Sequence, residues 1–381
     1  MEFDFTWILI GLPVFFTLGW LASRLDLRQL RIENRQAPKA YFKGLNFLLN
    51  EQQDQAIDAF IEAVQGDPDT SELHFALGNL FRRRGEYERA VRVHEHLLSR
   101  GDLTQPERDR AQHALALDFL KAGLLDRAEA ALRRLEGTAF QEEARLALLS
   151  IYERSSDWPN ASEIASRLGN SGQGNFSTRA AHYLCEQATT QAAGGNTSGA
   201  LDLLRQAAQL APDSARPALD LATLLHQLNR PDEAMRCLHA LQEGAPQAFP
   251  LAAALLANIA RNSGQQAVAL ERLQAAYAAS PSIDVVEAIV TLTDSPQEAQ
   301  HWYMRHLERG PSLLAASKWI AAEPARHPQQ HLQAQRSLDL ATKPLMRYRC
   351  AACGFEATRH FWHCPGCQAW DSYPARRVEE L

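Results

Sequence analysis

Cysteine is scarce in this chain of 381 residues: it has six, too few to staple a protein of this length through disulfides. Cys185 and Cys237 stand alone in sequence of helical type and read as small buried hydrophobes. The other four cluster near the carboxyl end, and a reducing compartment suits thiols arranged to hold a metal. An excess of charge of either sign is also missing. With 39 basic and 45 acidic residues the net charge is −6, which excludes a surface built throughout to grip nucleic acid and leaves only local basic patches. No phosphate-cradling loop is present, because Gly172-Gln173-Gly174 follows no strand and opens no such motif. No Ser/His/Asp, Cys/His or paired-carboxylate set announces itself, so no catalytic residue is expected and the chain reads as a non-enzyme. His94, His96, His301 and His306 each lack a carboxylate or cysteine at ligand spacing and read as single polar residues on helices.

What the sequence does have begins with an apolar run. From Phe5 to Ser23, "FTWILIGLPVFFTLGWLAS", 19 residues carry no charge, close to the roughly 20 that a helix needs to cross a bilayer core. Trp7 and Trp20 lie near its ends, where interfacial aromatics sit. A cleaved signal is the rival reading, but Glu2 and Asp4 precede the run where a basic start is needed, and no Ala-x-Ala site follows. Arg24, Arg28, Arg31, Arg35 and Lys39 come next, which places the amino terminus outside and the bulk of the chain in the cytoplasm. The expected organisation is therefore an anchor over 1–23 and a basic linker over 24–36.

Residues 37–310 repeat. Aligning Gly44 with Gly78, Phe47 with Phe81 and Ala56 with Ala90 gives a step of 34, the period of the tetratricopeptide helix–turn–helix. The alanine recurs at Ala128, Ala161, Ala200, Ala234 and Ala269. A turn residue recurs at Gly85, Gly123, Gly195, Asn229 and Gly264, and a terminating proline at Pro68, Pro212, Pro246 and Pro281. Seven repeats are readable, and an eighth, "VEAIVTLTDSPQEAQHWYMRHLERGP", is degenerate. Small residues are expected where paired helices cross, with large ones filling the space beside them. The stretch "GNSGQGNFST", residues 169–178, reads as a longer loop rather than a hinge. Terminal helices are expected over 311–343.

The last segment, 344–381, carries Cys350-Ala-Ala-Cys353 and Cys364-Pro-Gly-Cys367, two knuckles that present four sulfurs to one point. Four thiolates at this spacing form a tetrahedral site for one divalent metal, and zinc and iron both accept it. Gly354 and the pair Pro365-Gly366 are the expected turn-makers, while His360 and His363 are weaker alternative ligands. A segment so short depends on its metal for much of its stability. Around the knuckles, Arg347, Arg349, Arg359, Arg376 and Arg377 mix with Phe355, Phe361, Trp362 and Trp370. This surface suits packing against the last helices of the repeat array better than stacking on bases.

The stretches "NFLLNEQQDQA", "LGNLFRRRGE", "LLDRAE", "YRCAACGF" and "FWHCPGCQAW" resemble the lipopolysaccharide assembly protein B (LapB, YciM) family of Gram-negative bacteria. The resemblance spans nearly the whole chain and is weakest from about residue 170 to 340. It implies an all-α protein: a tetratricopeptide superhelix with an N-terminal transmembrane helix and a rubredoxin-type metal domain over 344–381. It implies an inner-membrane adaptor that presents the lipid A deacetylase LpxC to the membrane protease FtsH, opposed by the membrane sensor YejM (PbgA, LapC). The family's metal ligands fall on Cys350, Cys353, Cys364 and Cys367. Gln368 stands where rubredoxin knuckles have glycine, and this, with the short spacer, weighs against the rival reading of a membrane-tethered iron redox protein. A generic envelope-assembly scaffold is a further alternative. Nucleic acid is not an expected partner, and homo-oligomerisation is left open.

Overall fold

The fold is a computed structural model that describes residues 16–18, 20, 42–66, 70–170, 175–322 and 328–381. Helices follow one another in order: α1 (42–49), α2 (Gln53–Gly66), α3 (Ser71–Arg84), α4 (Tyr87–Ser99), α5 (Gln105–Lys121), α6 (Leu125–Arg133) and α7 (Gln141–Ser155). Next come α8 (Trp158–Asn170), α9 (Ser177–Ala193), α10 (Thr197–Leu210), α11 (Ala215–Gln227), α12 (Pro231–Gly244) and α13 (Pro250–Ser263). The last are α14 (Gln266–Ala279), α15 (Ile283–Leu292), α16 (Pro296–Leu307), α17 (Leu313–Ala321) and α18 (Pro328–Thr342), before a ribbon of two short strands. The chain divides into two compact units, Met1–Ser155 and Ser156–Leu381.

The repeat read from the sequence is built as its residue sizes require. Ala56, Ala90, Ala128, Ala161, Ala200, Ala234 and Ala269 are all fully buried, each with no exposed surface. Five residues before each of them the backbone enters the left-handed region: Glu51, Gly85, Gly123, Ser156, Gly195, Asn229 and Gly264 all have φ between 56° and 85°. Glu51 and Ser156 escape a sequence search because that search looks for glycine or asparagine, the residues that adopt this conformation at little cost. Pro212, Pro246 and Pro281 each lie two residues beyond a helix end, where the chain cannot continue the helix. Pro68 lies outside the described residues.

Unit Met1–Ser155 shows why glycine stands at the close crossings. A Cβ on Gly44 would come within 2.8 Å of the Phe60 ring, and one on Gly78 within 2.5 Å of the His94 ring. His94 departs from the sequence expectation, since it does have a carboxylate partner. Its Nδ1 lies 2.5 Å from Asp118 Oδ2, both side chains are fully buried, and Arg82 donates to the other oxygen of Asp118 at 2.8 Å. The partner sits 24 residues away on α5, a separation that sequence spacing cannot register.

In unit Ser156–Leu381 one apolar core runs from Ala181 on α9 to Ala315 on α17. Cys185 is fully buried within it, as expected, and burial pushes its thiol well above the ordinary value, as an inert core residue requires. Cys237 differs, being only partly buried against the same core. His306 also has a partner, with Nδ1 3.1 Å from the Tyr277 hydroxyl.

Of the apolar run read as an anchor, the described residues are helical, and Phe16, Leu18 and Trp20 are exposed. No helix among the described residues is long and apolar enough to cross a membrane, and the rest of the run and the basic linker lie outside them. Gly172-Gln173-Gly174 also lie outside.

Candidate metal centre

The centre is made by two hairpin knuckles with the same backbone wiring. β1 (Tyr348–Arg349) pairs antiparallel with β2 (Glu356–Ala357), and His363 bridges to Trp370 in the second knuckle. In the first, the Cys350 amide donates to Phe355 O at 2.9 Å and Gly354 donates to Cys350 O at 2.9 Å. In the second, Cys364 donates to Ala369 O at 2.9 Å and Gln368 donates to Cys364 O at 2.8 Å. Gly354 and Gln368 both have positive φ, 77° and 60°. The second knuckle therefore turns through Pro365-Gly366, as the sequence suggested, and closes at Gln368, where a side chain occupies a backbone site that favours glycine.

This wiring brings the four sulfurs of Cys350, Cys353, Cys364 and Cys367 within 4.8 Å of one another. Cys350 and Cys367 sulfurs are 3.8 Å apart, Cys353 and Cys364 sulfurs 3.7 Å, and all four thiols are free. Sulfurs at about 2.3 Å from a tetrahedral zinc would be about 3.8 Å from each other, the spacing of the Cys350–Cys367 and Cys353–Cys364 pairs, so the donor set suits one ion. Iron on four thiolates asks for the same donor set. His360 and His363 take no part. Their Nε2 atoms lie 3.0 Å from the carbonyls of Tyr373 and Gln368, and the cluster contains cysteines alone.

The electrostatics suit a cation. Burial opposes charge on Cys350, but Ser372 and the amides of Cys353 and Ala352 outweigh it and hold that thiol at about 6. Cys364 is likewise lowered, burial being overcome by the amides of Cys367 and Gly366. Cys353 receives the Phe355 amide, yet desolvation and the three neighbouring sulfurs push it up to about 12. Cys367 is raised as well, despite the Ala369 amide. Two thiols thus ionise readily and the other two resist a third and fourth negative charge, a repulsion that a bound dication offsets.

The ribbon is fixed to its unit by polar and aromatic contacts that sequence reading missed. Trp370 stacks on His182 at 4.8 Å and meets Trp158 and Tyr183 edge-on, while His182 Nε2 lies 2.9 Å from Asp371 Oδ2. The expected packing on the last helices is therefore incomplete, because α8 and α9 hold the ribbon too. Arg377 forms a two-pronged pair with Asp284 and covers the Tyr348 ring at 4.2 Å. Glu380 accepts from the Ile283 amide at the start of α15, and Glu379 from Ser312 Oγ and the Leu314 amide at the start of α17. Of the ribbon's aromatics, Phe361 packs in the small core with Tyr348, Cys350, Cys364 and Tyr373, and Trp362 against the repeat core, while Phe355 stays exposed. No local motif marks His182 or the terminal glutamates, since each is recognised only by what it meets across the fold.

A family model described as a rubredoxin metal binding domain matches residues 348–373, and tetratricopeptide repeat models match residues 73–109 and 191–259. Lipopolysaccharide assembly protein B of Escherichia coli (strain K12) is 31% identical to this chain, covering 97% of it and 98% of the relative. The chain belongs to the lipopolysaccharide assembly protein B family. The LapB protein of Haemophilus influenzae is 26% identical over 95% of this chain and 96% of its own length. Among solved structures, a tetratricopeptide repeat protein from Parabacteroides merdae is 15% identical, covers 67% of this chain and 98% of its own, and has a TM-score of 0.34. For this LapB-family chain the architecture is an all-helical repeat array followed by a four-cysteine ribbon.

Proposed function

We propose that this chain is a scaffold in lipopolysaccharide assembly, held at the inner membrane by residues 1–23 with its bulk in the cytoplasm. There it presents an LpxC-type deacetylase to an FtsH-type membrane protease, and a YejM (PbgA, LapC)-type sensor opposes it. The observation that carries this reading is kinship along almost the whole length with proteins named for lipopolysaccharide assembly. A helical repeat array without an evident catalytic set supports a scaffold, because stacked helix pairs offer extended surfaces for protein clients. Tethering supports presentation, since confinement to the membrane raises the effective concentration of protease and client without any new contact.

In this reading Cys350, Cys353, Cys364 and Cys367 hold one divalent zinc or iron ion that fixes the ribbon. The site serves structure, joining α8, α9, α15 and α17 through the contacts around it. Depleting the protein and following the lifetime of LpxC tests the adaptor role. A longer lifetime is expected, and an unchanged one overturns it. Starting the chain after Lys39 at native abundance tests the tether, which full activity of that shortened form would refute.

A further inference from the structure

The ribbon's tail does more than anchor. It forms one wall of a cleft of about 680 Å³ whose other walls belong to α12, α13, α14 and α15. The floor is apolar and well packed, with Phe249 and Val285 each 1% exposed. Ala275 and Ala279 of α14 line one side, and Pro374 and Ala375 of the tail line the other. Small residues and prolines keep this space open, because no side chain among them is long enough to fill it.

One cation stands at the cleft, Arg376. Of the nearby arginines, Arg377 pairs with Asp284, and Arg347 and Arg349 share the single carboxylate of Glu356. Arg376 is exposed and donates to Ser280 Oγ at 2.9 Å, with no carboxylate of the described residues at ion-pair distance. A guanidinium has five N–H donors, so one hydroxyl contact leaves most of them free for an anion. An uncompensated cation beside an apolar trough complements an acidic group carried on an apolar chain.

We infer that this cleft is a docking site for an apolar segment of a partner protein that carries one acidic side chain, with the carboxylate on Arg376 and apolar neighbours against Ala275, Ala279, Pro374 and Ala375. The segment lies between repeat helices and the metal ribbon, so the site exists only while the ribbon is docked. This makes the metal a requirement for partner binding through the wall it supports. The inference is independent of which protein the scaffold serves, and its failure leaves the lipopolysaccharide reading intact.

The test uses the full chain in detergent and two pools of acetylated, amidated octapeptides. Both pools are randomised among Ala, Val, Leu, Phe and Pro, one with Glu and the other with Gln fixed at the fourth position. Retention of the Glu pool about tenfold above the Gln pool is expected, as one charge-assisted contact gives. Arg376→Glu should abolish the preference and Arg376→Lys should keep part of it. Ala279→Glu, which fills and charges the cleft without touching the tail's hydrogen bonds, should also abolish it, with metal content and melting unchanged. Equal retention of the two pools, or a preference that survives both Arg376→Glu and Ala279→Glu, overturns the proposal.

Discussion

Glu380 accepts a 2.6 Å hydrogen bond from the backbone amide of Ile283, so the penultimate residue of the chain caps a helix that begins 97 positions earlier. The preceding residue does the same for α17, where Glu379 takes the Ser312 hydroxyl at 2.7 Å and the Leu314 amide at 3.0 Å. Two adjacent carboxylates thus satisfy the orphan amides of two repeat helices.

Replacing either glutamate with alanine should therefore cost about 1–2 kcal/mol, the usual worth of an N-terminal cap. Replacing both should free the tail before the array melts. Limited proteolysis around residues 374–381 reads this directly, and equal protection of the double variant and the natural chain would contradict it.

A pH dependence follows from the same residue. Burial, only partly offset by the amides of Ile283 and Arg377, raises the Glu380 carboxyl above its ordinary value. The folded state then binds the proton more readily than the unfolded one. This contribution is fully present below the ordinary glutamate range and is lost as pH rises through the raised value. Against Glu380→Gln, which does not titrate, the natural chain should gain stability as pH falls from 7 towards 4.5. Urea midpoints at the two values check the sign.

Gly78→Ala should destabilise unit Met1–Ser155 by about 1–3 kcal/mol, the range for overpacking a filled core. The added Cβ would stand 2.5 Å from the His94 ring, which cannot retreat because Asp118 holds it from the other side. Thermal melts of the two proteins compare them, and an unchanged midpoint would mean that this helix pair has slack.

Gln368→Gly should stabilise the ribbon by about 0.5–1 kcal/mol, since Gln368 holds φ 60° where glycine carries no steric cost. Slower release of metal to a chelator is the expected readout. Ser156→Gly is the corresponding change in the array.

Removing the metal with a chelator, or replacing Cys350 or Cys364 with serine, should unfold the ribbon and release Trp370 from His182, Trp158 and Tyr183. Tryptophan fluorescence should report that exposure. A native spectrum in metal-free protein would show that the contacts to α8 and α9 suffice without the ion.

The repeat was legible in the sequence because its cause is local and periodic. Each buried alanine allows one helix crossing and each left-handed residue one turn, and the two keep a constant five-residue offset while recurring every 33 to 39 residues from Ala56 to Ala269. The four sulfurs were legible for the same reason, since a Cys-x-x-Cys turn places two thiols by its own geometry. Glu51, Ser156 and Gln368 were not, because a residue without a glycine's freedom takes the left-handed conformation only when its surroundings hold it there.

The sequence alone therefore determined which segments are repeats and which thiols converge, since both follow from residue size and spacing over a few turns of chain. Only the tertiary structure decided that His94 meets Asp118, that Trp370 and Asp371 meet His182, and that Glu379 and Glu380 end on α17 and α15. A polar or aromatic side chain carries no mark of its partner when that partner lies many residues away. The pairing is set by where the packed helices bring the two together.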